Sequence, residues 1–157
     1  MPGYKLKSGL LVQGTLNERA LRKLKFSKSA PVFICEGRPG LEAGKSNAAT
    51  LLSMGIIPMV ISDNMAGFLF AKGYVKQLIM ACQYADEGGA LGDTGALICA
   101  VLAQRHQVPV KLLPGKIKTR FLGDPKDILS FQGKPIAPAG TRGYVPLVEW
   151  IPGKYLK

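Results

Sequence analysis

The stretch PVFICEGRPGLEAGKSNAATLLSMGIIPMVIS, residues 31–62, holds two short apolar runs on either side of a helix-like segment. The runs PVFIC and IIPMVIS are apolar along their length, which is typical of strands buried on both faces of a parallel sheet. Residues 42–54 favour a helix that stops at Gly55. Because a strand, a helix and a second strand follow one another, the stretch predicts a right-handed βαβ unit.

The same alternation continues after this unit. It predicts, in order, a short helix, a strand, a glycine-rich loop, a helix and a strand at residues 64–72, 75–82, 84–93, 94–106 and 108–114. Residues 123–157 are rich in Pro and Gly, and we expect loop there with one or two short strands. The fold class predicted is α/β: a Rossmann-like, three-layer domain with a mostly parallel sheet.

Residues 1–30 differ from this pattern, so we predict that they form a basic N-terminal extension and that the Rossmann-like domain occupies residues 31–157. Within the extension, TLNERALRKLKF (residues 15–26) has leucines on one helical face and favours one amphipathic helix. Thr15 and Glu18 have the spacing of a capping box. We expect the apolar side of this helix to pack on the sheet.

Composition narrows the class of partner. The chain has 157 residues, 47% of them hydrophobic, and a net charge of +11 concentrated in its two ends. This surplus favours attraction for an anionic metabolite over nucleic acid, since no RNA-binding motif is present, although RNA stays open. No apolar stretch is long enough to span a bilayer, so no membrane partner is expected.

Cysteine and histidine usage argues against a metal or redox site. The three cysteines, Cys35, Cys82 and Cys99, lie in apolar runs without a Cys-x-x-Cys spacing. Buried free thiols in a reducing cytoplasm are the interpretation we favour. With His106 as the lone histidine, neither a metal nor a cofactor is expected.

Gly44-Lys45-Ser46 resembles the end of a phosphate-binding P-loop. The first glycine of that motif should stand at position 39, where the chain has Pro39. Proline fixes φ and has no N–H to donate to a phosphate. A nucleotide P-loop is therefore disfavoured but stays open at this point.

Ligands of open parallel sheets bind beyond the carboxyl ends of the strands. That rule selects residues 36–45, 62–65, 82–94 and 113–120. Asp63 falls in the second of these places and has three interpretations. It is a magnesium-binding carboxylate, a general acid or base at the mouth of a small-molecule cleft, or, with Asn64, the cap of the next helix.

Residues 36–73 resemble the translation initiation factor 2B family, which includes the alpha, beta and delta subunits, methylthioribose-1-phosphate isomerase and ribose-1,5-bisphosphate isomerase. The family pattern is Glu-x-Arg-Pro, a glycine, a helix, Gly-Ile, an apolar strand and Asp-x-x-Ala. The matching residues here are Glu36, Arg38, Pro39, Gly44, Gly55, Ile56, Asp63, Asn64, Met65 and Ala66. The resemblance extends over roughly residues 31–156, and it favours the family's Arg-Pro loop over a P-loop.

The resemblance implies a carboxy-terminal Rossmann-like domain that binds a phosphorylated sugar or nucleotide and pairs as a homodimer. It implies a catalytic Asp63, which in the isomerases works with a cysteine to convert an aldose phosphate into a ketose phosphate. It also places Arg38 among the groups that hold the anionic substrate, because a guanidinium fork matches phosphate oxygens. Gly44, Lys45 and Asn64 complete the predicted substrate- and phosphate-binding set.

This chain also departs from the family pattern. The family's Cys-Asn motif has no counterpart before Pro31, its Gly-Ala-Asp is Ala81-Cys82-Gln83 here, and its Asn-Lys pair falls at residues 92–95 without a lysine. Its helical N-terminal domain has no counterpart in these 157 residues. Two functions therefore stay open: a reduced sugar-phosphate isomerase, and a non-catalytic regulatory or subunit-type module. An RNA-associated role is a third, less favoured.

Overall fold

The computed structural model describes residues 6–27 and 29–157. The four α-helices within these residues are α1 (Glu18–Arg22), α2 (Glu42–Ser53), α3 (Ala66–Ala71) and α4 (Ala96–Arg105). The strands are β1 (Gly9–Gln13), β2 (Val32–Cys35), β3 (Met59–Ile61), β4 (Val75–Asp86), β5 (Gly89–Asp93), β6 (Val110–Pro114), β7 (Ser130–Phe131), β8 (Lys134–Pro135) and β9 (Val148–Pro152). Single 3₁₀ turns lie at Asp63–Met65, Pro125–Ile128 and Gly153–Tyr155.

One seven-stranded sheet organises the molecule. Strands β3, β2, β1 and β4 lie side by side and parallel, and β6 pairs parallel with the middle of β4. The second half of β4 turns back into β5, which pairs antiparallel with β4 and with β9. The predicted α/β class with a mostly parallel sheet is confirmed.

Helices cover both faces of the sheet. Leu11, Phe33 and Leu78 point to the side where α3 and α4 pack, and they are at most 1% exposed. Their neighbours along the strands, Val12 and Ile34, point to the opposite side, where they pack with residues of α1 and α2. This alternation is the period-2 geometry of a strand, and it produces the three layers that were predicted.

Strand β1 was missed in the sequence analysis. It lies between β2 and β4 and is buried at every residue, so the supposed extension of residues 1–30 supplies a central strand of the sheet. The boundary predicted at residue 30 therefore runs through the core of the fold. Within the described residues, α1 is also shorter than predicted. Its cap is Asn17, whose side chain accepts from the Arg19 N–H. Thr15 is buried before the helix begins, so it does not cap α1 as predicted.

Two further corrections concern the second half of the chain. The predicted glycine-rich loop at residues 84–93 is a β-hairpin, in which the Asp86 carboxylate accepts from Gly88 N–H at 2.8 Å. The tail contains the short β7–β8 hairpin as well as β9, which joins the main sheet. Among the described helices, none is both long enough and apolar enough to cross a bilayer.

Candidate functional site

A cleft of about 310 Å³ opens at the carboxyl ends of the parallel strands. All four places selected by the strand-end rule contribute lining residues, from residues 37–43, 63, 93–94 and 116–120. Residues 13–15, which follow the missed strand β1, also line the cleft, as do Pro146 and Leu147. Its volume lies at the lower end of the range of about 300–1,000 Å³ that is common for small-molecule pockets.

The Arg-Pro loop, residues 36–41, forms one wall of the cleft. It is anchored to the sheet by Glu36 N–H, which donates to the Ile61 carbonyl at 2.9 Å. Gly37 has φ +75°, and a Cβ there would lie 2.8 Å from the Ala43 Cβ, so the tight turn requires glycine. The turn directs the main-chain N–H groups of Gly37 and Arg38 toward the end of β3.

Asp63 receives both of those N–H groups. Its Oδ1 accepts from Gly37 N–H at 2.9 Å, and its Oδ2 accepts from Arg38 N–H at 2.7 Å. The interpretation of Asp63 and Asn64 as helix caps is wrong, since no side chain caps either the 3₁₀ turn or α3. Because two charge-assisted hydrogen bonds fix the carboxylate, Asp63 holds the Arg-Pro loop in place while still lining the cleft.

Arg38 lines the same cleft as Asp63. Its guanidinium carbon lies 4.6 Å from the centroid of the Phe131 ring, which comes from the β7–β8 hairpin. This cation–π contact orients the side chain and leaves its N–H groups available, because a stacked guanidinium donates in its own plane. Sequence reasoning gave no reason to connect Phe131 with this site.

The other predicted binding residues do not line the cleft. Gly44 is buried in α2, where its N–H donates to the Glu36 carbonyl at 3.0 Å. Lys45 and Asn64 are exposed, and the Asn64 side chain accepts from the Ser62 hydroxyl. The structure therefore brings Arg38 and Asp63 together and leaves Gly44, Lys45 and Asn64 outside. The first glycine of a P-loop is replaced by Pro39, and the P-loop lysine position points to solvent.

Polar side chains at the end of β1 and β5 form the floor of the cleft. The buried Asp93 carboxylate accepts from Thr15 N–H at 2.8 Å and from the Gln83 side-chain amide at 3.3 Å. Gln13 donates to the carbonyls of Asp93 and Thr94. Its Oε1 is buried and has no hydrogen-bond partner within the described residues, which leaves an acceptor at the floor without a donor.

A basic strap, residues 116–120, follows β6 and forms the opposite wall. Its sequence is Lys-Ile-Lys-Thr-Arg, and all five residues line the cleft. Lys116 and Lys118 both contact the Glu42 carboxylate, with 2.8 Å between Lys118 Nζ and Glu42 Oε2. These contacts, first with Lys116 and then with Lys118, lower the pKa of Glu42 below its ordinary value. Glu42 therefore stays ionised in mild acid, and the ion pairs persist there.

The N-terminus of α4 points toward the same edge of the sheet, and it is already occupied. Glu149 of β9 places Oε1 2.7 Å from Gly95 N and 2.9 Å from Leu97 N, and both N–H groups donate to it. A carboxylate satisfies these otherwise unpaired donors and the positive end of the helix dipole. This terminus is consequently closed to a ligand phosphate while Glu149 remains in place.

Within the described part of the chain, no cysteine or histidine lines the cleft. Cys35 and Cys99 are buried in the core, and a hydrogen bond with Cys99 together with burial raises the pKa of the Cys35 thiol. Burial also raises the pKa of Cys82. Since the thiolate is the reactive form, neither Cys35 nor Cys82 has the environment of a nucleophile, and Cys99 is buried away from the cleft. No cluster of three metal-ligating side chains occurs in residues 6–27 and 29–157.

Comparisons with solved structures agree with this fold. Subunit delta of translation initiation factor eIF-2B from A. fulgidus superposes with a TM-score of 0.73 at 19% identity, over 96% of this chain and 51% of that one. The 5-methylthioribose 1-phosphate isomerase from Pyrococcus horikoshii OT3 gives a TM-score of 0.74 at 22% identity, over 97% and 49%. At these identities the likeness establishes the fold alone.

Sequence comparisons place the chain within a family. A methylthioribose-1-phosphate isomerase from Syntrophus aciditrophicus is 33% identical over 82% of this chain, and one from Thermus thermophilus is 28% identical over 91%. The chain spans 38% and 47% of those two proteins, which is less than half of each. The sequence signature described as the initiation factor 2 subunit family matches residues 7–157. The chain belongs to the initiation factor 2 subunit family.

Proposed function

We propose that the cleft binds a phosphorylated sugar. The observation that carries this proposal is the meeting of Arg38 and Asp63 in one cleft of about 310 Å³ at the carboxyl edge of the sheet. A guanidinium suits phosphate oxygens, and carboxylates and amide oxygens suit sugar hydroxyls. The relatives named methylthioribose-1-phosphate isomerase support this ligand class, so we infer a pentose phosphate and not a larger nucleotide.

The polar groups of the cleft suit different parts of such a ligand. Arg38 and Arg120 line it without an ion-pair partner among the described residues, and they are the groups we assign to the phosphate. The second lone pair of each Asp63 oxygen remains free for a sugar hydroxyl.

We propose catalysis as an extension of binding, on the basis of the named relatives. Interconversion of an aldose and a ketose phosphate takes a proton from one carbon and returns it to the neighbouring carbon, while a second proton moves from the hydroxyl oxygen to the carbonyl oxygen. Asp63, which accepts from the N–H groups of the Arg-Pro loop, is the carboxylate of the cleft that can carry that proton. No thiol lines the described cleft, so Asp63 would carry the proton there without a cysteine.

Titration calorimetry with methylthioribose 1-phosphate and ribose 1-phosphate tests binding. Arg38→Met should raise the dissociation constant by about 10- to 100-fold, because hydrogen bonds to charged groups contribute about 1.5–3 kcal/mol. Lys45→Met is the matched control, since it removes one cation next to the Arg-Pro loop but outside the cleft. Absence of binding to either sugar phosphate at millimolar concentration, or an equal loss in both variants, would refute the proposal.

A subunit-type role is a second candidate, favoured by the outer edge of the sheet. Within the described residues β3 is an edge strand, and Met59, Val60 and the nearby Ile57 are 43%, 53% and 84% exposed. An apolar strand edge is a ready template for pairing with another strand. We propose that two copies pair there.

Analytical ultracentrifugation should show a dimer that Val60→Lys converts to monomer, while Ile98→Lys on α4 leaves it unchanged. A monomeric wild-type chain would exclude the pairing.

A further inference from the structure

The basic strap is paired with an anionic side chain of helix α2, that of Glu42. This residue stands in the first turn of the 12-residue helix α2, and its carboxylate contacts the ammonium groups of both Lys116 and Lys118. Lys116 and Lys118 alternate with Ile117, which is 74% exposed. One carboxylate of the helix thus engages both lysines of the strap.

The contact between Glu42 and Lys118 is held by groups on both sides of it. The Lys118 side chain is only 17% exposed, and its main-chain N–H donates to Gln83 Oε1 at 2.8 Å. Its Nζ also lies 3.9 Å from Asp93 Oδ2. Asp93 in turn is fixed by Thr15 N–H. Lys118 therefore lies between two carboxylates whose positions are set by α2 and by the sheet.

Some of the positive groups that line the cleft have a carboxylate partner and others have none. Where the strap meets α2, two ammonium groups face two carboxylates, those of Glu42 and Asp93, so their formal charges cancel. Arg38 and Arg120 also line the cleft, and neither forms an ion pair within residues 6–27 and 29–157. An anionic group entering the cleft would meet uncompensated positive charge at the guanidinium groups only.

We propose that Glu42 is a specificity-determining residue that limits the cleft to ligands with a single phosphate. This inference rests on the proposed binding of sugar phosphates and adds a selection among them. A second phosphate could reach the lysines only by displacing the Glu42 carboxylate, which would then face a like charge without its partners. A neutral hydroxyl meets no such penalty. The negative charge of Glu42 excludes the second phosphate, and its side-chain shape does not.

The experiment compares ribose 1-phosphate, ribose 1,5-bisphosphate and inorganic phosphate by titration calorimetry against the wild-type chain and Glu42→Gln. The amide keeps the shape of the side chain and removes the charge. Glu18→Gln is the matched control, because Glu18 forms an ion pair with Arg22 on α1, outside the cleft. Nuclear magnetic resonance of the Lys118 amide, taken alongside, reports whether the anion reaches the strap.

The wild-type chain should prefer the monophosphate. In Glu42→Gln, affinity for the bisphosphate should rise at least about tenfold, with a steeper salt dependence, because Lys116 loses its fixed counter-charge and Lys118 keeps only that of Asp93. Affinity for ribose 1-phosphate should change less than about threefold, since the guanidinium groups are untouched. Glu18→Gln should match the wild type for every probe.

Two results would overturn the inference. One is a wild-type chain that binds the bisphosphate as tightly as the monophosphate. The other is a Glu42→Gln variant whose Lys118 amide resonance still does not respond to inorganic phosphate, and this test requires no sugar. If the variant gains phosphate binding while no sugar phosphate binds the wild type, the charge compensation by Glu42 stands and the proposed function fails.

Discussion

Leu11→Ala should lower the free energy of unfolding by about 2–5 kcal/mol, the usual cost of removing a large aliphatic side chain from a core. Leu11 is fully buried in the central strand β1, between β2 and β4. It belongs to the core cluster that also contains Phe33 and Leu78. Truncation would leave a cavity in the middle of the sheet, where neighbouring strands cannot move in to fill it.

Urea denaturation followed by far-ultraviolet circular dichroism measures this loss. Leu52→Ala is the control, because Leu52 lies on α2 with 56% of its surface exposed and should change stability by less than about 0.5 kcal/mol. If residues 1–30 were an extension attached to an independent domain, the two variants would have similar stabilities. A loss below about 1 kcal/mol for Leu11→Ala would contradict the central position of β1.

The difference between the predicted and observed fold has a local cause. GLLVQG offers one short apolar run, and a run of this length cannot by itself be assigned to a strand. The leucine-rich pattern of residues 15–26 is the stronger local signal, and it predicts a helix. The glycines of residues 84–93 predict a loop, but the segment forms a β-hairpin. Gly92 stands inside β5, close to the Ala81 carbonyl and the Ile151 side chain. Close strand packing explains that glycine.

The candidate site was predictable to the extent that it depends on strand ends. PVFIC and IIPMVIS located Arg38 and Asp63 at one edge of the sheet, and these residues do lie together in the cleft. The alternating cations of residues 116–120 lay inside a predicted place, so their pattern was a usable signal. The Glu42 contacts were not predictable, because they join residues 74 and 76 positions apart. The Phe131 contact depends on a hairpin with no clear sequence signal.

Asp63→Asn is expected to have the largest effect on function. The amide keeps one oxygen, so one of the two N–H groups of Gly37 and Arg38 would face an –NH₂ donor instead of an acceptor. The loop that carries Arg38 would then shift, and a displacement of about 1 Å at a binding residue can cost about 100-fold. We expect sugar-phosphate affinity to fall by that order, measured by titration calorimetry. Asn64→Ala, which changes the exposed neighbour, should bind normally.

The same variant separates a positioning role from a catalytic one. If Asp63 acts through the Arg-Pro loop, its loss and the loss of Arg38 remove one shared interaction, so the double variant Arg38→Met/Asp63→Asn should bind little worse than either single variant. If Asp63 is the general base, turnover at saturating ligand should fall by about 10²- to 10⁴-fold while affinity changes little. Additive losses of affinity in the double variant would mean that Asp63 does not act through Arg38. Absence of turnover in the wild type would mean that Asp63 is not a general base. The two results together would contradict both roles.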